Sequence, residues 1–198
     1  MDMIRAFYEQ NALRPPLNIK MMMYGKKKRT RLKRDENGDK IPIGPNAKGV
    51  MQYEKETYWV NLSKENGDDG IYPSVNAIYQ RGKGGRPEYR SIAIAKFEEW
   101  QVDTHLWMAD QDWETVDEKI YLDFFFHMPN DNRARDTHNV FKMCLDAMNK
   151  LIYEDDHKCL PRVIDYQKVE EGEEPYIEIF IHTQAEMNDI YAKKLSPC

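Results

Sequence analysis

The sequence predicts an α/β domain of the α+β kind: a small mixed β-sheet flanked by helices on one side, preceded by a basic arm. Two observations lead to this prediction. Segments with apolar residues at every third or fourth position, typical of helices, alternate with segments in which apolar residues recur at every second position, typical of strands. Lysine and arginine are concentrated in the first 50 residues, whereas the remainder is acidic. The predicted boundaries are therefore an arm, residues 1–50, and a folded domain, residues 51–198.

Length and composition agree with one globular domain and an appendage. The chain has 198 residues, of which 41% are hydrophobic and 12% aromatic, so it is long and apolar enough to bury a core. Its three cysteines lack C-x-x-C spacing, which indicates neither a disulfide framework nor a zinc site and predicts a reducing, cytoplasmic environment. We expect no signal peptide and no membrane span, because no apolar run is long enough.

The basic arm is the first candidate for a binding surface. Residues 1–50 hold 12 Lys and Arg against 5 Asp and Glu, and residues 26–34 alone hold seven cations. Such a run is typical of a solvated, flexible segment, and it is also a natural contact for phosphates. Docking on the acidic surface of the protein itself is the alternative. The arm residues expected to bind DNA are Lys26, Lys27, Lys28 and Arg29.

The first elements of the domain are a strand and a basic turn. Residues 58–62 predict a first strand, which a turn-forming segment at residues 66–70 follows. Three glycines at residues 82–85 predict a mobile turn whose cations could contact a phosphate backbone. The spacing does not match a nucleotide-binding loop. The cations around this turn are Arg81, Lys83, Arg86 and Arg90.

The remaining elements give the order βαβαββ with a closing helix. Residues 91–108 predict the first core helix, and residues 117–128 predict a strand with both faces partly covered. After a second core helix, residues 162–169 and 175–182 predict a hairpin. Residues 184–195 predict a terminal helix.

The second core helix carries the most informative residues. An apolar stripe with three- and four-residue spacing predicts its buried side, and Asp136 stands where a helix N-cap would be. As a cap, its carboxylate would accept a backbone N–H; the alternative role is a metal ligand. Lys142 and Asp146 have the spacing of an ordinary ion pair on a helix surface. The stripe comprises Val140, Phe141, Cys144, Leu145, Met148 and Leu151.

An acidic pair follows this helix. Asp155 and Asp156 lie between the helix and the next strand, where two adjacent like charges repel unless water, a proton or a cation relieves them. A solvated turn is the simplest interpretation. Together with Asp136 and a lysine of suitable reach, the pair instead predicts a site for a divalent metal ion.

The ordered motifs resemble the RusA family of Holliday junction resolvases, found mostly in bacteria and their phages. The resemblance covers roughly residues 56–182, and the order and spacing of the motifs carry it. The motifs are P-S-V-N-A-I-Y at residues 73–79, G-R-P-E-Y-R-S at 85–91, M-P at 128–129, R-D-T-H-N-V-F-K at 135–142, L-D-A-M at 145–148 and Y-E-D-D at 153–156.

The resemblance implies a small dimeric α/β enzyme that binds branched DNA and cleaves phosphodiesters with Mg²⁺ or Mn²⁺. The family pattern is a D-x-D-N helix start, a lysine three residues later and a following D-D pair. His138 stands where that pattern has its second aspartate. The implied catalytic residues are Asp136, His138, Lys142 and Asp156, the implied metal ligands are Asp136, His138, Asp155 and Asp156, and Asn139 joins the DNA-binding residues.

These residue types suit the implied chemistry. Magnesium prefers oxygen ligands, which Asp136 and Asp156 would supply from separate elements. Lys142 would face negative charge that develops on the phosphate. Three roles are open for His138: a ligand better suited to manganese, a general acid or base, or a hydrogen-bond partner of Asp156.

Three functions follow for comparison. The first is a metal-dependent endonuclease that resolves four-way junctions in recombination, repair or phage DNA processing, as a homodimer because two strands must be cut symmetrically. The second is a non-catalytic relative that binds branched DNA through a decayed site. The third, an HNH nuclease suggested by D-T-H-N, requires a ββα metal hairpin, whereas a long helix is predicted here.

Overall fold

The structure is a computed structural model, and it describes residues 2–68 and 70–195. The chain forms two compact units, one within Met1–Met23 and Ile71–Cys198 and the other within Tyr24–Gly70. The N-terminal helix and first strand therefore belong to the larger unit. This division differs from the predicted boundary at residue 50, because apolar residues before the basic run are buried in the main core.

The chain contains five α-helices and ten strands within the described residues. The helices are α1 (Asp2–Asn11), α2 (Val75–Ile78), α3 (Ser91–Asp110), α4 (His138–Met148) and α5 (Gln184–Leu195). The strands are β1 (Leu17–Lys20), β2 (Lys26–Leu32), β3 (Pro42–Pro45), β4 (Met51–Tyr53), β5 (Lys55–Asn61), β6 (Tyr79–Arg81), β7 (Pro87–Tyr89), β8 (Ile120–Met128), β9 (Cys159–Lys168) and β10 (Tyr176–Thr183). The mixed α+β class is as predicted. No helix in the described part is long and apolar enough to cross a membrane.

The main sheet has the strand order β1-β10-β8-β9. Strand β8 pairs antiparallel with β10 and parallel with β9, so the predicted hairpin of β9 with β10 is wrong. All nine residues of β8 are buried, whereas most of β9 is partly exposed. A strand that is apolar on both faces gains most from the central position, and the more polar β9 tolerates an edge.

One face of β8 packs against α3 and α4. Phe124 and Phe126 lie on this face, and their rings are 4.8 and 6.1 Å from the ring of Phe141 in α4. Trp100 of α3 is fully buried, and its indole N–H donates to the Lys20 carbonyl at 2.8 Å. The apolar spacing of both helices thus produces the core layer that holds α4 in place.

The opposite face of β8 is covered by α1 and α5. Tyr8 packs edge-on against Phe125 at 5.2 Å, while Met187 and Ile190 pack around Tyr121. Helices therefore lie on both faces of the sheet, and the prediction of helices on one side was wrong. The residues of β8 on this second face are also large and buried, so they need a layer of their own.

Asp123 is a buried charge beneath this second layer. Its side chain is fully buried, and both carboxylate oxygens accept hydrogen bonds from the Arg162 guanidinium, one of them at 2.6 Å. The Tyr8 hydroxyl donates to the same carboxylate at 2.6 Å. Burial, and then the neighbouring carboxylate, raise the pKa of Tyr8. The network therefore ties α1, β8 and β9 together through one carboxylate.

The smaller unit is built from two-stranded ribbons. Strand β5 pairs with β2 along its whole length, and β3 pairs with β4. The predicted first strand therefore does not join the main sheet, where β1 occupies the edge beside β10. Leu17 and Ile19 of β1 are buried on one side of the strand, whereas no residue of β5 is buried. The basic run is paired as a strand rather than being an unpaired segment.

We predict that Asp123→Asn lowers the free energy of unfolding by about 2 to 4 kcal/mol, because it leaves a partly buried guanidinium without its counter-charge. Urea unfolding measures this change. Glu154→Gln is the matched control, since Glu154 pairs with Lys150 on an exposed surface and should cost less than about 1 kcal/mol. Equal effects of the two substitutions would contradict the role given to Asp123.

Candidate active site

The loop before α4 is held by an ion pair and an aromatic ring. Arg135 donates to both carboxylate oxygens of Asp131, one of them at 2.6 Å, and this pair lowers the pKa of Asp131 to about 2. The same guanidinium lies 5.4 Å from the ring centre of Tyr72. The Tyr72 hydroxyl donates to the Asp136 carbonyl at 3.3 Å. These contacts fix the backbone where α4 begins.

Asp136 and His138 form a local pair at the start of α4. The Asp136 carboxylate accepts the backbone N–H of His138 at 3.0 Å, but the N-cap residue of α4 is Thr137, one position later than predicted. The same oxygen lies 3.1 Å from Nδ1 of the His138 ring. Both side chains are exposed, at 56% and 74%. A carboxylate and an imidazole are therefore presented together to solvent.

Lys142, one helical turn further along α4, is held by hydrogen bonds that converge on the Asp146 carboxylate. Its ammonium group donates to Oδ1 of Asp146, and the Tyr89 hydroxyl donates to Oδ2 of the same carboxylate at 2.6 Å. The Tyr89 ring stacks on Tyr79 at 4.9 Å. The hydrogen bond to Asp146 is the largest cause that raises the pKa of Lys142. The lysine is therefore kept charged and its position is restrained.

The acidic pair is divided between two environments. The Asp155 carboxylate accepts the backbone N–H of His157 at 3.1 Å and lies 2.8 Å from the His157 ring, and these contacts lower the pKa of Asp155. Asp156 is partly buried and lies close enough to Lys142 to raise its pKa electrostatically. The Tyr153 hydroxyl donates to the Leu145 carbonyl at 2.8 Å, so the chain returns alongside α4 and brings Asp156 with it.

The predicted metal ligands do not form one group. Asp136 and His138 contact each other at the start of α4, Asp155 contacts His157, and Asp156 lies within electrostatic range of Lys142. No three ligand side chains in the described part of the chain are gathered closely enough to hold a metal ion. The donor types fit a divalent cation, but their arrangement in this structure does not.

The predicted basic turn is a short hairpin attached to the site. Strands β6 and β7 pair through Tyr79 and Tyr89, and a 3-10 turn, Lys83–Gly85, joins them. Two successive glycines in this turn have positive φ, which favours glycine over other residues. Because Tyr89 ends β7 and bonds Asp146, the base of the hairpin is fixed beside Lys142. The exposed cations of the hairpin are Arg81, Lys83 and Arg86.

The other predicted DNA-binding residues belong to other elements than the hairpin. Arg90 donates to the Ala77 carbonyl at 3.2 Å just before α3, and Asn139 is partly buried in the first turn of α4. Four more belong to β2 of the smaller unit, where all are exposed: Lys26, Lys27, Lys28 and Arg29.

The sequence interpretation missed three tyrosines that organise the site. Tyr72 holds the loop before α4, and Tyr89, stacked on Tyr79, holds Asp146. The only signal was their position: Tyr79 ends the motif at residues 73–79, Tyr89 lies within the motif at residues 85–91, and Tyr72 immediately precedes the first. Motif order alone did not indicate which helix residue they contact.

A family model for the endodeoxyribonuclease RusA matches residues 71–182, which is more than half of the chain. The chain belongs to this family. A search of curated proteins finds no match. The resemblance that the motifs indicated is thereby confirmed.

The RusA region includes everything that forms the candidate site. It contains Tyr72, the β6–β7 hairpin, α4 and the acidic pair, and it ends at His182 within β10. The smaller unit, α1 and β1 lie outside it. Strand β1 nevertheless completes the main sheet, so the RusA region depends on residues that the family model does not match.

We predict that Asp146→Asn lowers the pKa of Lys142, because the carboxylate that most favours its charged form is removed. NMR titration of lysine Cε resonances, with Lys142→Arg to assign the signal, measures the change. Asp155→Asn is the control, since Asp155 contacts His157 instead. An unchanged Lys142 titration in Asp146→Asn would show that the pair does not persist in solution.

Proposed function

We propose that this chain is a structure-selective endodeoxyribonuclease that resolves four-way DNA junctions. The match to the RusA endodeoxyribonuclease family over residues 71–182 is the observation that carries the proposal. The setting proposed is the cytoplasm of a bacterial or phage-infected cell, in recombination, repair or phage DNA processing. Incubation with a synthetic four-way junction, with Mg²⁺ or Mn²⁺, tests it directly.

The hairpin supports a DNA contact next to Lys142. Its cations, Arg81, Lys83 and Arg86, are exposed, and its glycine turn lets a backbone approach closely. Tyr89 attaches the hairpin to Asp146, which holds Lys142. A phosphate bound by the hairpin would therefore be delivered towards the lysine.

Lys142 is the proposed electrostatic catalyst. Its ammonium group is charged at neutral pH and is restrained by Asp146, so little reorganisation is needed when negative charge develops on a phosphate oxygen. Asp156 lies within electrostatic range of the same ammonium group. Asp146 and Tyr89 are positioning residues, because they act through Lys142 rather than on the substrate.

Mg²⁺ or Mn²⁺ is the proposed cofactor, on the chemistry of the donors. Carboxylate oxygens are the ligands that these hard ions prefer, and Asp136 and Asp156 match the family pattern. The described residues do not gather three such donors. The proposed roles of Lys142, Asp146 and Tyr89 therefore do not depend on a bound metal ion.

We predict that Asp136→Asn and Asp156→Asn each abolish junction cleavage while leaving junction binding near normal. Each substitution removes a proposed ligand and also a charge that repels phosphate. Gel mobility shift and cleavage of the same labelled junction measure the two properties. Glu154→Gln, next to the pair but bonded to Lys150, should leave both unchanged. Full cleavage by either aspartate variant would overturn the assignment.

We predict that His138→Asp increases Mg²⁺-supported cleavage relative to Mn²⁺-supported cleavage, because it replaces an imidazole by an oxygen donor and restores the common family pattern. His138→Ala should cleave poorly with either ion. Parallel time courses with the two ions measure the ratio. Cleavage by the alanine variant at the parental rate would reduce His138 to a hydrogen-bond partner of Asp136. Cleavage by the aspartate variant alone would identify the parent as a binding protein.

We propose that the active form is a homodimer. Resolution requires symmetrical cuts in two strands, and a two-fold dimer presents two equivalent sites. Light scattering of the protein, free and bound to a junction, should give the mass of two chains. A single chain in both states would contradict this proposal.

A further inference from the structure

The ribbon formed by β2 and β5 has two different faces. Residues directly opposite each other in an antiparallel pair share a face, and alternate residues along each strand point the same way. The register pairs Lys28 with Trp59 and Arg29 with Tyr58, so tryptophan and tyrosine lie on opposite faces. No bulge interrupts the pairing, so this division holds along the ribbon.

The face that carries Trp59 has basic residues and no acidic ones, and we call it the lysine–tryptophan face. It comprises Lys26, Lys28, Thr30 and Leu32 from β2, and Lys55, Thr57, Trp59 and Asn61 from β5. Trp59 is 65% exposed. The face contains no acidic residue, and its three lysines form no ion pair with another described residue. An aromatic ring is thus presented to solvent among uncompensated positive charges.

On the opposite face, most of the cations form ion pairs and the aromatic ring contacts an arginine. Arg31 forms a salt bridge with Glu56 at 2.7 Å, and its guanidinium lies 4.8 Å from the ring centre of Tyr58. Arg29 lies 3.7 Å from Asp68. Two of its three cations are neutralised within the unit and its aromatic ring is partly covered. The same ribbon therefore offers one open binding face and one compensated face.

The spacing of the open face fits a nucleic acid strand. Lys26 and Lys28 are about 7 Å apart along β2, and Trp59 lies directly beside Lys28 on the neighbouring strand. A ring of this kind stacks on a base of any sequence, while adjacent ammonium groups attract phosphates. Paired bases inside a duplex are already stacked, so a single exposed ring suits unpaired bases.

We propose that the lysine–tryptophan face binds an unpaired DNA strand, with Trp59 stacked on a base and Lys26 and Lys28 at the flanking phosphates. The site lies outside the matched RusA region. It goes beyond the proposed function, which concerns the branch point itself, and its test requires no cleavage.

Binding of a labelled single-stranded oligonucleotide to the full chain, without divalent metal, tests the proposal. Trp59→Ala should weaken binding about 5- to 150-fold, because stacking contributes about 1–3 kcal/mol per base. Trp59→Phe should retain part of the affinity. Tyr58→Ala is the matched control from the opposite face and should bind nearly as the parent does.

Salt dependence separates stacking from charge. Replacing both Lys26 and Lys28 by alanine should flatten the slope of log affinity against log salt by about 1.4, at about 0.7 per phosphate contact of a single strand. Trp59→Ala should lower affinity without changing this slope. A slope that changes equally in both variants would overturn the division of roles.

Tryptophan fluorescence provides an independent readout. Trp100, Trp107 and Trp113 are at most 9% exposed, so emission that iodide quenches belongs to Trp59. The oligonucleotide should protect this emission, and Trp59→Ala should lack the protected component. Protection by polyglutamate but not by the oligonucleotide would instead assign the face to an acidic protein.

The two proposals fail separately. If Trp59→Ala loses single-strand binding while the parent never cleaves a junction, the binding face stands and the proposed nuclease function falls. If the parent cleaves junctions but Trp59→Ala binds single strands as Tyr58→Ala does, the nuclease function stands and the binding face is overturned.

Discussion

The complete burial of β8 is the constraint on which the rest of the larger unit depends. A strand that is apolar on both faces must have a strand on each side and a layer above and below. Strands β9 and β10 lie on its two sides. Helices α3 and α4 cover one face, and helices α1 and α5 cover the other. Because α4 is one of these helices, its buried side is fixed by β8 and its other side is left for the charged residues. The position of the site is thus a consequence of core packing.

The network from Tyr89 through Asp146 to Lys142 connects two tasks that could have been separate. The hairpin carries the cations suited to phosphates, and α4 carries the lysine suited to chemistry. The Asp146 carboxylate accepts hydrogen bonds from both Tyr89 of the hairpin and Lys142 of α4. A displacement of the hairpin therefore changes the restraint on the Lys142 ammonium group. In the proposed function, binding and chemistry would therefore be coupled through two hydrogen bonds rather than through a large rearrangement.

Local contacts were predictable from the sequence, and long-range contacts were not. The contact of Asp136 with the His138 N–H and the pair of Lys142 with Asp146 follow from local geometry, which fixes residues two to four positions apart, although the N-cap itself is Thr137. The α3 and α5 helices were located correctly for the same reason. Tyr89 and Asp146 are 57 positions apart, and no periodicity brings them together. The false hairpin of β9 with β10 arose because neighbours in sequence usually pair, whereas burial of β8 placed it between them.

Local charge, rather than net charge, governs how such a chain can approach DNA. The whole chain carries −5, which by itself repels a phosphate backbone. At physiological salt, however, charges more than about 8 Å apart are largely screened, so a phosphate responds to the side chains nearest to it. Residues 24–70 hold 11 Lys and Arg against 8 Asp and Glu, and pairing across the β2–β5 ribbon leaves one face without acids. A modest excess of cations becomes a face with three lysines and no acid, because strand register places Glu56, the acid of these two strands, on the other side. The same composition without that register would offer DNA no such surface.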